Sequence, residues 1–505
     1  MFPEKLCADL SNLHSRSPAH SFQYTQKVIE SEFKAPIHDI FDSYSTTPIA
    51  SGSIAQVYKW TLHGRYVAVK VRHPNVSEQI QMDFILMKKM AYVLEHLLGL
   101  SWLRLSESLS QFSHTIAAQT DLRAEAKHLY LFNKNFRGWK DVKFPTPFIA
   151  TSAVLIESFE RGVSVSEYTK LYRSSSPSHG LSSWSAVTGA VYKYLFLPGP
   201  PVAHAEPRGK QSEPSGRPTQ SIPSVSPSNN QRKSWSKREL EEAVVAEATT
   251  SPAASSLPSK SQRVDPELAH YIIRRGEDLY LKMLLEDNLM HADLHPGNIL
   301  FLHVDRQGAV IPPTFQSPAD GALSDPHVPF RSTEAQLTMV DAGMVAVLEA
   351  DERENFIGFL EALGEGDGRL AARFVLGFSV HTVGYSPQTV ESFKVDMTEL
   401  FRVTCRGYGT NVNVGEVLRG VLTLVRIHRI AIDVNYATLV MNVLCLDGLA
   451  NELLPEYNIL DAAKPLLRFH LLCKRTIGLT LFRALLPVAR RIKKRMDGSY
   501  VQRLR

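Results

Sequence analysis

The sequence lacks any hydrophobic run long enough to cross a membrane. A spanning helix needs about 20 consecutive apolar residues, and no such run occurs in the 505 residues of this chain. The first residues, Met1-Phe-Pro-Glu-Lys5, also contain no apolar signal core and no arginine- and serine-rich leader. The first absence argues against a membrane-spanning helix. The second leaves no targeting peptide visible in this chain.

Cysteine is scarce, and neither sign of charge dominates. The four cysteines are far apart and form no Cys-x-x-Cys motif, so neither a disulfide framework nor a zinc knuckle is indicated. A formal net charge of +5 does not argue for nucleic acid as a partner. The hydrophobic content of 44% is ordinary for a globular protein. The length allows two or three domains, or one large domain with insertions.

The most informative stretch is His291-Ala-Asp293-Leu-His295-Pro-Gly-Asn298, which is followed later by Val340-Asp341-Ala-Gly343. Phosphoryl transfer needs a carboxylate that orients the attacking hydroxyl or water, together with an amide and a carboxylate that hold Mg²⁺. Protein kinases place these groups in His-Arg-Asp-x-x-x-x-Asn and Asp-Phe-Gly. Asp293 and Asn298 have the spacing of the kinase Asp and Asn, and Asp341 precedes a glycine as the acid of Asp-Phe-Gly does. The three residues therefore indicate a phosphoryl-transfer site.

A zinc site is the alternative interpretation of this stretch, because His291 and His295 are four residues apart, as in helical His-Glu-x-x-His motifs. Pro296 and Gly297 directly follow His295. They interrupt a helix at that point, which disfavours the shared helical face that zinc would need.

A lysine in a predicted β-hairpin supports the phosphoryl-transfer interpretation. The small residues Ala50-Ser51-Gly52-Ser53 precede alternating β-formers, and His63-Gly64-Arg65 is a turn signal. The returning strand, Tyr66-Val-Ala-Val-Lys70, resembles the Val-Ala-Ile-Lys strand of kinases. Small residues allow a backbone to approach phosphates closely, and Lys70 at this position could reach the α- and β-phosphates.

Two helices are predicted between this hairpin and the next strand. Residues 75–105 carry an apolar stripe at helical spacing, which we expect to be core. Residues 109–133 contain Glu125, which is placed to pair with Lys70 as the helix glutamate of kinases does. A solvated acid on a polar helix face is the alternative for Glu125. After a buried strand, Glu157 to Phe159 suits a linker between two lobes, where backbone groups would meet an adenine.

Composition divides the chain into four parts. Residues 1–172 contain N-terminal helices and a kinase-like N-terminal lobe, and residues 173–262 are a largely disordered proline- and serine-rich insertion. Residues 263–348 carry the catalytic-loop and metal-binding motifs, with a second insertion at 307–333 between two paired strands. Residues 349–505 are helical.

The end of the chain is basic and amphipathic from residue 467 to residue 505. Its apolar stretches are too short and too charged to span a bilayer, but they could lie at a membrane interface with their cations toward anionic headgroups. Packing against the preceding helices is an equally good interpretation.

These residues together resemble the UbiB (aarF-domain-containing, atypical-kinase-like) family. The resemblance covers about 1–175 and 263–505. Five segments of the chain carry the matching motifs: 48–57, 67–74, 119–126, 290–300 and 340–344.

The resemblance implies an α+β, two-lobed protein-kinase-like fold with a helical N-terminal segment and a helical C-terminal extension. It further implies ATP and Mg²⁺ as cofactors, with Lys70 on the phosphates and Glu125 fixing the lysine. Asp293 would be the catalytic acid or base, and Asn298 and Asp341 would be the Mg²⁺ ligands.

Family members act in isoprenoid quinone and lipid metabolism. A lipid or quinone intermediate is therefore an expected partner, at a mitochondrial or plastid membrane.

Two features depart from the family pattern. Its N-terminal Lys-x-Gly-Gln helix, which covers the active site, has no counterpart here, and the first residues read as mid-domain sequence, so we expect a truncated N-terminus. The family's phosphate loop is usually alanine-rich, whereas this chain has Gly52, which permits positive φ and closer approach to phosphates. Asp341-Ala342-Gly343 keeps the acid of Asp-Phe-Gly but lacks its aromatic side chain.

Three functions fit these residues. The first is an active UbiB-type ATPase or atypical kinase, the second a phosphotransferase for a small soluble substrate, and the third a nucleotide-binding pseudokinase scaffold. The Val-Ala-Val-Lys70 strand and the Glu125 helix favour the first over the second. An intact set of Lys70, Asp293, Asn298 and Asp341 argues against a degraded site.

Overall fold

The computed structural model describes residues 18–97, 105–169, 266–303, 335–378, 385–410, 412–430, 432–455, 457–476, 485–486 and 488–490. The predicted insertions at 173–262 and 307–333 lie outside the described residues. The described parts form an α+β fold, with a smaller N-terminal lobe built on a sheet and a larger, mainly helical C-terminal lobe. This confirms the fold class that the sequence predicts.

The N-terminal lobe is built on a five-stranded antiparallel sheet, with strand order β1-β2-β3-β6-β5. Its strands are β1 (Ala50–Ser51), β2 (Ala55–Leu62), β3 (Arg65–Arg72), β5 (Pro147–Ala150) and β6 (Val154–Ser158).

The predicted hairpin is confirmed as β2 and β3, which are joined at His63 and Gly64. Both turn residues have positive φ, 49° and 73°. A two-residue hairpin turn needs positive φ at both positions when its twist matches that of the strands.

Two short helices cover this sheet, α1 (Phe22–Phe33) and α2 (Ile37–Ile40). Helix α1 buries Ile29 and Phe33 in an apolar core that also contains Trp60 of β2. Because this core is separate from that of the helical lobe, the N-terminal lobe has its own packed interior.

Three helices follow β3, where the sequence predicted two. They are α3 (Val76–Leu97), α4 (Leu105–Gln119) and α5 (Leu122–Asn135). The predicted helix 109–133 is interrupted at Thr120 and Asp121, because the Asp121 side chain caps α5 by accepting from the Arg123 backbone N–H. The Arg72 guanidinium donates to the Thr120 carbonyl at 2.8 Å, so the sheet holds this break in place.

The expectation that the apolar stripe of α3 is core was wrong. Met82, Leu86 and Leu97 are 69%, 59% and 77% exposed. The opposite face, with Phe84 and Ala91, is buried, and α3 packs on α4. Periodicity shows that a helix has an apolar stripe, but only the position of the neighbouring helix decides which face is covered.

The C-terminal lobe contains two small sheets. The four-stranded sheet has the order β4-β10-β9-β7, and the two-stranded sheet pairs β8 with β11. The strands are β4 (Val142–Lys143), β7 (Val163–Ser164), β8 (Met290–His291), β9 (Ile299–His303), β10 (Ala335–Met339) and β11 (Val345–Ala346). The predicted strands on either side of the second insertion are confirmed as the antiparallel pair β9 and β10, in the register Phe301 to Leu337.

The rest of this lobe is helical. Helix α6 (Pro266–Lys282) continues into a π-helical turn, Met283–Asp287, and ends at Asn288, whose φ is 50°. The later helices are α7 (Ala350–Glu365), α8 (Gly368–Gly377), α9 (Pro387–Thr404), α10 (Val414–Ile427), α11 (Val434–Leu453) and α12 (Ile459–Thr476). None of the described helices combines the length and the hydrophobicity needed to cross a bilayer.

Substitutions on opposite faces of α3 are expected to differ in effect. Phe84→Ala removes a buried aromatic ring from α3 and leaves a cavity, so we expect it to lower the free energy of unfolding by about 3–5 kcal/mol. Leu86→Ala removes exposed surface, so its effect should stay within about 0.5 kcal/mol. Urea denaturation of both variants measures the difference, and a larger loss for Leu86→Ala than for Phe84→Ala would contradict this packing.

Candidate nucleotide site

Lys70 lies in the middle of the N-terminal sheet, where β3 pairs with Val57 of β2 and with Leu155 of β6. Its side chain is 12% exposed and contacts two carboxylates. The Nζ atom lies 2.5 Å from Glu125 Oε1 and 3.3 Å from Glu157 Oε1. The structure therefore brings together the predicted pair of Lys70 and Glu125 and adds a second acid.

The charges around Lys70 keep it protonated. Burial by itself lowers the pKa of Lys70, but Glu125, Glu157 and Asp341 outweigh that effect, so the net shift is upward. A lysine held in this way carries a full positive charge over the physiological pH range. It is also confined to one position, as a group that binds phosphate oxygens must be.

Glu157 is not in the linker where the sequence placed it. It lies within β6, opposite Ala68 of β3, and its side chain is buried and turned toward Lys70. Burial raises its pKa to about 7, although Lys70 opposes the shift. Two buried carboxylates beside one lysine oppose each other's ionisation. We expect Glu157, which is farther from Lys70 than Glu125 is, to be the one that binds a proton as pH falls below about 7.

The linker between the lobes starts at Phe159. The Phe159 backbone N–H donates to the Tyr66 carbonyl at 3.3 Å, and the Lys59 ammonium lies over the Phe159 ring, 4.7 Å from its centre. Farther along, Gly162 has a φ of 153°, and a Cβ atom there would lie 2.9 Å from the Phe301 carbonyl oxygen. Only glycine allows the linker to pass this close to β9. The predicted adenine contact of Phe159 stays a prediction.

The catalytic-loop residues form a compact, non-helical turn after β8. The Asn298 side-chain amide donates to the Asp293 carbonyl at 3.1 Å and to its carboxylate at 3.3 Å. The Asp293 side chain is 49% exposed, and His295 Nε2 lies 3.6 Å from it. Asp293 and Asn298 are therefore side by side, and the Asp293 carboxylate is open to solvent.

Asp341 has a strained backbone and an open carboxylate. Its φ of 63° is rare for a residue other than glycine, and strain of this kind clusters at functional sites. Desolvation by the surrounding protein raises the pKa of Asp341, but Lys70 and the Gly343 backbone N–H, which donates to Oδ1 at 3.1 Å, bring it below its usual value. The residue as a whole remains exposed to solvent. It thus presents an ionised carboxylate at the bottom of the site.

Backbone contacts join these loops to one another. Val340 N–H donates to the Asn298 carbonyl at 2.9 Å, and Ala292 N–H donates to the Met344 carbonyl at 3.0 Å. As a result, the loop that carries Asp293 and the loop that carries Asp341 form one unit.

Two positioning side chains were missed by sequence reasoning. His128, three residues after Glu125 on α5, donates from Nδ1 to the Ala342 carbonyl at 2.9 Å. Asn442 of α11 donates to the His291 carbonyl at 2.7 Å. His128 was detectable in principle, because residues i and i+3 share a helix face. Asn442 follows His291 by 151 positions, and no local signal links the two.

The small-residue loop is a tight turn between β1 and β2, and Gly52 N–H donates to the Ala55 carbonyl at 3.0 Å. The expected use of positive φ at Gly52 is not observed, because its backbone lies outside that region. A Cβ there would meet only the Ala55 carbonyl oxygen at an ordinary 3.6 Å. What glycine contributes here is the absence of a side chain. The neighbouring residues Ala50 and Ser53 are exposed.

The residues present fit Mg²⁺ and a nucleotide. Ser51 Oγ and Glu157 Oε2 are buried without a partner among the described residues, and the cation of Lys70 stands near the carboxylate of Asp341. Within the described part of the chain, no group of three or more His, Cys, Asp or Glu side chains forms a metal site. Mg²⁺ is usually held by one or two carboxylates together with substrate phosphates, and Asp341 with Asn298 matches that ligand type.

The profile of the ABC1 atypical kinase-like domain matches residues 12–188 and 259–374, more than half of the chain. The chain belongs to this family. A segment of 131 residues is 38% identical to a Shewanella protein named "Probable protein kinase UbiB", covering 25% of this chain and 24% of that one. The resemblance to UbiB proteins is thereby confirmed.

Two longer relatives match over nearly the whole chain. "Probable serine/threonine-protein kinase abkC" of Dictyostelium discoideum is 27% identical over 92% of this chain and 60% of its own length. "ABC1 family protein YPL109C, mitochondrial" of Saccharomyces cerevisiae is 26% identical over 93% of this chain and 63% of its own length. The chain thus spans about three fifths of the length of these relatives.

The raised pKa of Glu157 should make the stability of the folded protein depend on pH. Because the pKa of Glu157 is raised from 4.5 to about 7 in the folded state, the folded protein binds more protons than the unfolded chain between these values. The free energy of unfolding should therefore fall as pH rises through that window. In Glu157→Gln the fall should be smaller, which urea denaturation between pH 4.5 and 7.5 measures.

The exposed Glu78 provides the matched control for this measurement. Glu78→Gln should keep the wild-type pH dependence. If the free energy of unfolding of Glu157→Gln changed with pH as steeply as that of the wild type, Glu157 would not be the group that binds this proton.

Proposed function

We propose that this protein binds ATP with Mg²⁺ and transfers or hydrolyses its terminal phosphoryl group. The observation that carries the proposal is the arrangement around Lys70, which is bound by Glu125 and lies near Asp341. A fixed cation beside an open, ionised carboxylate is what a metal-bound polyphosphate requires on its two sides.

Each residue has a role in this proposal. Lys70 binds phosphate oxygens, and Glu125 holds Lys70 in place. Asn298 and Asp341 hold Mg²⁺, which when bound neutralises charge that develops on the phosphates. Asp293, whose carboxylate is exposed to solvent, orients the attacking hydroxyl or water and takes its proton.

Two backbone segments complete the nucleotide site in this proposal. The turn formed by residues 50–53 lies against the phosphates, where small side chains let the backbone approach closely. Phe159 begins the linker where the adenine would bind. Glu157, which the sequence assigned to the same linker, acts instead through Lys70.

The substrate class follows from the family. We propose that the phosphoryl chemistry serves isoprenoid quinone or lipid metabolism and that the acceptor is water or a lipid-like molecule at a membrane surface. Support comes from the UbiB resemblance over 131 residues. The mitochondrial label of the Saccharomyces cerevisiae relative supports a mitochondrial location, where we propose that the protein attaches peripherally to the membrane.

ATP hydrolysis by the purified chain tests the metal ligand. Asp341→Asn keeps the shape of the side chain but removes the charge that holds Mg²⁺, so we expect Mg²⁺-dependent turnover to fall by about 100-fold or more. Anionic liposomes should stimulate the wild type only.

Asp83→Asn, at an exposed acid of α3, is the control for this substitution and should retain full activity. Nucleotide binding without hydrolysis by the wild type would favour a scaffold over an enzyme.

The basic end of the chain provides the test of membrane attachment. Deleting residues 467–505 would remove Leu467, which is buried in α12, so we choose charge neutralisation instead. Each basic residue near an anionic surface contributes about 1 kcal/mol. Replacing four of them by glutamine should therefore weaken binding to anionic vesicles by roughly 1,000-fold. The four positions are Arg491, Lys493, Lys494 and Arg495.

Vesicle co-sedimentation measures this effect. Neutralising four basic residues elsewhere on the helical lobe provides the control, and it should leave binding nearly unchanged. The control positions are Arg369, Lys394, Arg402 and Arg406. Equal vesicle binding by the tail variant and the wild type would reject the proposal that the tail attaches the protein to a membrane.

A further inference from the structure

A histidine pair lies beside the small-residue loop, residues 50–53, which is called the phosphate loop here because the proposed function places it against the phosphates. The proposed function does not account for this pair. His73 directly follows β3, and its Nε2 atom lies 3.0 Å from the Gly52 carbonyl oxygen. Its backbone N–H donates to the Ile54 carbonyl at 2.9 Å. This contact is a side-chain hydrogen bond to the backbone of residues 50–53. Strand β1, which is two residues long, lies at the edge of the sheet and pairs with β2.

The second histidine comes from the segment ahead of α1. His20 Nδ1 lies 2.7 Å from His73 Nδ1, and His20 Nε2 lies 2.8 Å from Thr25 Oγ1. The two rings meet edge to face, with their centres 4.9 Å apart. His20 therefore connects the start of α1 to the residue that holds the loop.

The contacts determine which nitrogen carries each proton. A carbonyl oxygen can only accept, so His73 Nε2 carries a proton, and in the neutral ring Nδ1 is then the acceptor. His20 Nδ1 must then donate to it, and His20 Nε2 accepts from the Thr25 hydroxyl. Burial, together with the nearby His73, lowers the pKa of His20 to about 4. The His20 ring is therefore neutral at pH 7, as this assignment requires.

The hydrogen bonds that run from Gly52 through His73 and His20 end in the core of the N-terminal lobe. Thr25 Oγ1 lies 2.9 Å from the hydroxyl of Tyr58, and both residues are fully buried. The Gln56 side chain accepts from the His20 backbone N–H at 3.0 Å and donates to the His20 carbonyl at 3.3 Å. His20 is thus bound through both its ring and its backbone, and it has little freedom to turn away from His73.

We infer that His73 is a positioning residue that holds the phosphate loop through the Gly52 carbonyl, and that His20 locks His73 in this orientation. The inference rests on the proposed function, in which residues 50–53 lie against the phosphates. It also makes nucleotide binding sensitive to the segment ahead of α1. Displacing His20 would free His73, loosen the loop and raise the Kd for the nucleotide.

Two substitutions at position 73 separate this role from a general structural one. His73→Leu removes the donor to Gly52, so we expect the Kd for ATP with Mg²⁺ to rise about tenfold, the usual effect of one hydrogen bond. His73→Gln places an amide N–H near the position of Nε2 and should restore the Kd to within about threefold of the wild type.

Two further variants complete the set. His20→Leu should act in the same direction as His73→Leu and add little to it in the double variant, because both break one linkage. His38→Leu, at an exposed histidine of α2, is the control and should leave the Kd unchanged.

Hydrogen exchange provides a measurement that needs no nucleotide. The Gly52 amide, which is bonded to Ala55, should exchange faster in His73→Leu than in the wild type and at the wild-type rate in His73→Gln. Unchanged exchange and an unchanged Kd in His73→Leu would overturn the inference. Failure of the wild type to bind ATP would overturn the proposed function, and exchange at Gly52 would still decide whether His73 holds the loop.

Discussion

The structure of the site depends on one buried cation. Lys70 is held by Glu125 from a helix and by Glu157 from the neighbouring strand, and Asp341 of the other lobe lies within the range of its charge. The carboxylates of Glu125 and Glu157 would be costly to bury without a positive partner. The lysine therefore joins the N-terminal sheet and helix α5, and losing its charge would leave two buried acids without a cation.

Hydrogen bonds to the backbone extend this arrangement across the molecule. His128 connects α5 to Ala342, and Asn442 of α11 holds the carbonyl of His291. On the opposite side, His73 connects the phosphate loop to His20 and so to the core of the N-terminal lobe. The groups proposed to meet phosphate and metal are thus held through carbonyl oxygens, and two of the three donors, His128 and Asn442, lie outside the motif segments.

Much of this could be predicted from short sequence patterns. The turn at His63 and Gly64, the strand that carries Lys70 and the pairing of β9 with β10 follow from local propensity, and the structure confirms them. Asp293, Asn298 and Asp341 could be located in the same way, because their chemistry requires given residue types at given spacings. Their catalytic and metal-binding roles stay predictions.

Other features depend on which parts of the chain meet in space. The apolar stripe of α3 is visible in the sequence, but the position of α4 leaves it exposed. Glu157 was assigned to a linker, because nothing local shows that its side chain faces Lys70, 87 positions earlier in the chain. Positive φ at Gly52 was expected from residue type, yet in the turn that its N–H closes with the Ala55 carbonyl its backbone lies outside that region. Local sequence therefore specifies the reactive groups, and tertiary contacts decide their partners, because burial and charge pairing are properties of neighbours that the sequence keeps far apart.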